Sequence, residues 1–96
     1  MKTMLVLNIT PELEEELVDY LISTESVRGF TSYPVRGHGE QATMSIAEQV
    51  SGRRARLQFE IIMQEEAVSK LISGLADNVG KDINYWQQTI SNMGKV

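Results

Sequence analysis

Residues 54–63, Arg54-Ala55-Arg56-Leu57-Gln58-Phe59-Glu60-Ile61-Ile62-Met63, decide how the chain is read. Ala55, Leu57, Phe59, Ile61 and Met63 share one side of an extended backbone; Arg54, Arg56, Gln58 and Glu60 share the other. Alternate side chains of a strand point to opposite faces, so the pattern predicts a half-buried strand with its apolar face on a core. The opposite face of such a strand normally meets water. Arg54 and Arg56 are therefore expected on a solvated face, or paired across a subunit boundary with acidic residues of the first helix.

Downstream, Val68, Leu71, Ile72, Leu75, Ala76 and Val79 recur at helical spacing and predict a helix from Gln64 to Val79. Gly80 stands where a C-terminal glycine cap belongs. Ile83-Asn84-Tyr85-Trp86 begins a last strand, with one ring toward the helices and the other outward or into a subunit interface. At the other end, Met4 to Ile9 reads as a strand buried on both faces. Thr10-Pro11 then opens a helix reaching about Ser23, with the threonine hydroxyl as cap and proline in the first turn. Glu12, Glu14, Glu15 and Glu16 suit the positive end of that helix, and Leu13, Leu17, Tyr20 and Leu21 form its stripe. Between Val27 and Glu40, Phe30, Thr31, Tyr33 and Val35 favour a strand that Pro34 restricts to an edge, a bulge or a bend. The order β-α-β-β-α-β predicts an α+β, ferredoxin-like sandwich: an antiparallel sheet with two helices on one face.

Composition narrows the function. The 96 residues suit one domain spanning 1–96, and 42% apolar with 23% charged residues is ordinary for a folded chain. A net charge of −4 argues against a nucleic-acid backbone binder. The absence of cysteine excludes disulfides and thiolate metal sites. No stretch approaches the roughly 18–20 apolar residues of a membrane span, so no direct membrane insertion is expected. The N-terminus reads as a strand and not as a signal peptide, which makes the cytoplasm the expected compartment.

Two glycines bracket the only histidine in Arg36-Gly37-His38-Gly39-Glu40-Gln41. Gly37 and Gly39 allow backbone to approach a ligand closely and offer amides to an anion, or simply let a strand end turn sharply. His38 is a candidate metal ligand or a flat side chain packed at the loop base; Met44 offers a soft thioether six residues on. Arg53, Arg54 and Arg56 suit phosphates or an anionic partner. Nothing resembles a catalytic constellation, so an enzyme is not expected.

These segments resemble the PII-like signalling proteins: the Arg-Gly-His-Gly-Glu-Gln run at a strand end, a polar loop, the alternating strand from Arg54, and Gly80-Lys81 before the last strand. The Asn-Tyr-Trp strand is similar to a small bacterial branch of that family often associated with heavy-metal efflux systems. The resemblance implies a homotrimer binding an adenine nucleotide (ATP, ADP or AMP) or a transition metal ion in clefts between subunits. It assigns ligand contact to Arg36, Gly37, His38, Gly39, Gln41, Gly80 and Lys81. It assigns a mobile regulatory T-loop to Ala42-Thr43-Met44-Ser45-Ile46-Ala47-Glu48-Gln49-Val50-Ser51-Gly52, which would contact a partner such as a membrane transporter or efflux component. That loop holds no tyrosine, so uridylylation is not expected. The family's glycine-rich stretch before Gly80 and its basic pair after the last strand are absent. The competing expectation is a metal-tolerance protein that uses His38 and methionines directly.

Overall fold

The computed structural model describes residues 1–39 and 54–96. β1 (Lys2–Ile9), β2 (Thr31–Gly37), β3 (Arg54–Gln64) and β4 (Asn84–Thr89) form a four-stranded sheet in the order β2-β3-β1-β4. All three pairings are antiparallel. Apolar residues from both helical stretches pack on one sheet face, as the order of elements predicts.

The first helix begins as a 3-10 turn over Pro11–Leu13 and continues as α1 (Glu14–Ile22). Thr10 differs from expectation: its side chain makes no capping bond, and its carbonyl instead accepts from the Leu13 amide at 3.1 Å. The second helical stretch is not continuous. A 3-10 turn over Glu65–Ala67 leads into α2 (Val68–Ser73), and Gly74 separates it from the short α3 (Leu75–Asn78). Tyr20 accounts for the small residue at the break. Its hydroxyl donates to the Leu71 carbonyl at 2.8 Å, and a Cβ on Gly74 would collide with that hydroxyl. The interruption shifts the stripe, so Val68, Leu71, Leu75 and Val79 are buried while Ala76 is exposed. Gly80 closes the stretch by donating to the Leu75 carbonyl at 3.0 Å, as its capping position predicts.

The core lies between sheet and helices. β1 supplies Leu5, Leu7 and Ile9, and β3 supplies Phe59, Ile61 and Met63; they meet Leu17 and Leu21 of α1 and Val68, Leu71 and Leu75. Phe59 and Phe30 contact with ring centroids 5.8 Å apart. Burying one such side chain stabilises the fold by roughly 1.5–3 kcal/mol relative to exposure. β1 is central, and Val6 on its other face is also only 1% exposed. Pro34 lies in edge strand β2, where a missing amide is tolerated.

Candidate functional site

The sheet face away from the helices carries Tyr33 and Val35 of β2, Arg54, Arg56, Gln58 and Glu60 of β3, Val6 and Asn8 of β1, and Asn84 and Trp86 of β4. A solvated face was expected for Arg54 and Arg56. Instead their side chains are 9% and 3% exposed. A buried guanidinium persists only where its charge is paired and its donors are used. Arg56 meets both conditions. Its Nε donates to Asn8 Oδ1 at 2.6 Å, and its terminal nitrogens donate to the Asn8 carbonyl at 2.7 Å, the Asp82 carbonyl at 3.0 Å and Asp82 Oδ2 at 3.1 Å. Arg54 pairs with the same Asp82 oxygen.

The network continues across the strands. Asn8 Nδ2 donates to Gln58 Oε1 at 3.1 Å, Gln58 Nε2 donates to the Tyr33 hydroxyl at 3.1 Å, and Tyr33 donates to Glu60 Oε2 at 2.7 Å. Among the described residues no buried side-chain nitrogen or oxygen lacks a partner. The bond to Glu60 raises the Tyr33 pKa, against the opposing bond from Gln58. Burial alone would raise the Asp82 carboxyl; the Arg54 hydrogen bond and the charges of Arg56 and Arg54 outweigh it and hold the group below its ordinary value. Asp82 adopts φ +64°, a left-handed conformation that aspartate tolerates better than most residues.

This network floors a cleft of about 290 Å³. Arg36, Gly37 and His38 from the end of β2 line it, with Arg54 and Arg56 below and Asn84 and Trp86 on the β4 side. Trp86, the only tryptophan, is 40% exposed, and Tyr85 on the helix side is 55% exposed, so neither ring is enclosed within the protomer. A guanidinium-rich cleft with an aromatic wall has the chemistry to hold an anion attached to a planar group.

The structure brings together three of the residues singled out by sequence: Arg36, Gly37 and His38. Gly39 follows them in the left-handed region at φ +104° and is exposed. Gly80 does not line the cleft; it packs against Leu13, whose side chain occupies the space a Cβ would need. Lys81 is exposed and also absent from the cleft lining, although its neighbour Asp82 reaches the floor. Gln41 and the proposed loop Ala42 to Gly52 lie outside the described residues, as does Arg53. Sequence reasoning missed Asn8, Asp82 and the burial of both arginines. The available signal was an aspartate directly after Gly80-Lys81, in a turn where the left-handed region is accessible to it.

The fold and the cleft on its uncovered sheet face define a ferredoxin-like α+β protein of the PII-like kind. The chain belongs to the family described as "Protein of unknown function (DUF3240)", which matches it over residues 1–96. Among solved structures it is similar to a DUF3240 family protein from Shewanella baltica OS155, with TM-score 0.80 and 24% identity over 99% of this chain and 96% of that one. It is also similar to the periplasmic divalent cation tolerance protein CutA from Archaeoglobus fulgidus, with TM-score 0.76 and 8% identity over 99% and 89% of the two chains. At these identities the likeness is one of fold. No curated protein gives a significant match. Among the described residues no helix is long and apolar enough to cross a membrane.

Proposed function

We propose that this protein is a non-catalytic, PII-like regulator, assembled as a homotrimer, whose open-face cleft binds an adenine nucleotide. The observation that supports this reading best is the convergence of Arg36, Gly37 and His38 with two buried arginines and Trp86 around one cleft. At about 290 Å³ the cleft lies at the lower edge of the roughly 300–1,000 Å³ of small-molecule pockets, as expected if a neighbouring copy completes it. The phosphates would meet the guanidinium groups and the Gly37 backbone, and the base would lie on the Trp86 side. Ligand binding would bias the segment from Ala42 to Gly52, which begins just after the cleft's His38-Gly39 lip, and that segment would contact a partner such as a transporter or efflux component. A ligand shifts such an equilibrium only by its differential affinity for the two states. A cytoplasmic location belongs to the same proposal.

A metal-tolerance role is the second reading, favoured by the fold likeness to a protein named for divalent cation tolerance. Among the described residues no group of three or more histidine, aspartate or glutamate side chains could hold a metal ion. His38 would then need donors from other copies.

Trp86 provides the test. Titration with ATP, ADP and AMP should change indole fluorescence saturably, and Arg36→Ala should weaken the response. An unchanged signal at millimolar nucleotide, together with a monomer by light scattering, would remove the reading. A saturable response to Cu, Zn, Co or Ni ions that His38→Ala abolishes would favour the metal reading instead.

A further inference from the structure

We propose that the Arg54–Arg56 pair on the cleft floor is a phosphate-oxyanion site and that the Asp82 carboxylate is its built-in competitor. The inference rests on the cleft being a ligand site, as argued above, and adds which group the ligand's charge meets and what it displaces.

Three features carry it. First, the pair is buried on a face that no helix covers, so its charge depends on an anion brought to it. Second, that anion comes from an unusual place. Asp82 lies in the turn between Val79 and β4, at φ +64°, with a side chain 46% exposed. A half-exposed carboxylate rehydrates readily when it leaves. Third, both ion pairs fall on one carboxylate oxygen, Oδ2. Guanidinium forks match oxyanions best when separate oxygens accept parallel bonds, which a phosphate supplies and one shared oxygen does not. Exchange of Asp82 for a phosphate preserves an anion on the floor, and Arg36 and Trp86 line the route from solvent. The exchange also frees the turn carrying Lys81 and the start of β4, so occupancy has a structural consequence inside the protomer.

The test is calorimetric titration of the full chain with inorganic phosphate, and in parallel with ATP to separate free from nucleotide-borne phosphate. Asp82→Asn keeps the side-chain shape and removes the competing charge; Asp82→Gly suits the positive φ. Both should bind phosphate about tenfold more tightly than the native chain, since a competitor lowers apparent affinity by the fraction of sites it occupies. Adding Arg54→Gln should abolish the gain. Equal or weaker phosphate binding by both Asp82 variants overturns the proposal. Should either variant be unfolded in phosphate-free buffer, recovery of its thermal transition with rising phosphate supports the proposal, and failure to recover contradicts it. The two readings fail separately. Native ATP binding that weakens with Arg36→Ala, without tighter phosphate binding in the Asp82 variants, leaves the nucleotide cleft and removes the competitor. Tighter phosphate binding in those variants, with no native nucleotide response, does the reverse.

Discussion

On the helix-covered side of the sheet, Leu5, Leu7, Phe59 and Ile61 are buried by apolar neighbours from α1 and α2. Across the same strands, Arg56 is buried to a similar degree with no helix above it, held by Asn8 and Asp82. The first kind of burial is non-directional and tolerates substitutions of similar volume. The second depends on particular donors meeting particular acceptors, and loses its justification when one member leaves. Equal burial therefore carries different information on the two faces. On the helix side it reports a core; on the open side it reports a constructed polar site.

Substitutions can break this comparison. Phe59→Ala should have the largest effect, destabilising the protein by about 3–5 kcal/mol in chemical denaturation, because it removes a fully buried ring from the centre of the core. Arg56→Met keeps the stem's volume and removes the charge network. It should cost about 2–3 kcal/mol, less than the core ring, because the abandoned Asp82 carboxylate can hydrate. A loss as large as that of Phe59→Ala would mean that the open face is as much a core as the helix side.

The smallest expected effect is a dependence on pH. The Asp82 carboxyl titrates below its ordinary value of 3.8 in the folded chain, so its contribution to stability is complete above that value. It is lost as pH falls through the lower folded value. Native stability should therefore exceed that of Asp82→Asn at neutral pH, and the difference should shrink in acid below the ordinary carboxylate range. A difference that stays constant across that window would show that the aspartate acts through backbone geometry and not through charge.

Much of the fold was legible because side-chain periodicity is a local property. The alternation from Arg54 to Met63, the Leu13-Leu17-Leu21 stripe and the apolar run of β1 each specify an element and its inner face. The break at Gly74 was not legible, because it arises where Tyr20 from another helix crosses that point. The site was only partly legible for the same reason. Glycines around His38 mark a strand end within a few residues of sequence. The burial of Arg54 and Arg56 requires Asn8, 48 residues from Arg56, and Asp82, 26 residues from it, to arrive by sheet register. Alternation identifies which face a residue occupies; it does not reveal what other chain segments bring to that face.

The account stands most directly on where a ligand touches the protein. In a nuclear magnetic resonance titration of isotope-labelled protein with ATP, the largest shifts should fall on Gly37, His38, the Arg54 and Arg56 side chains and the Trp86 indole. Shifts confined to the helix side, around Tyr20 and Lys70, or no shifts at saturating nucleotide, would contradict a nucleotide-binding cleft on the open face.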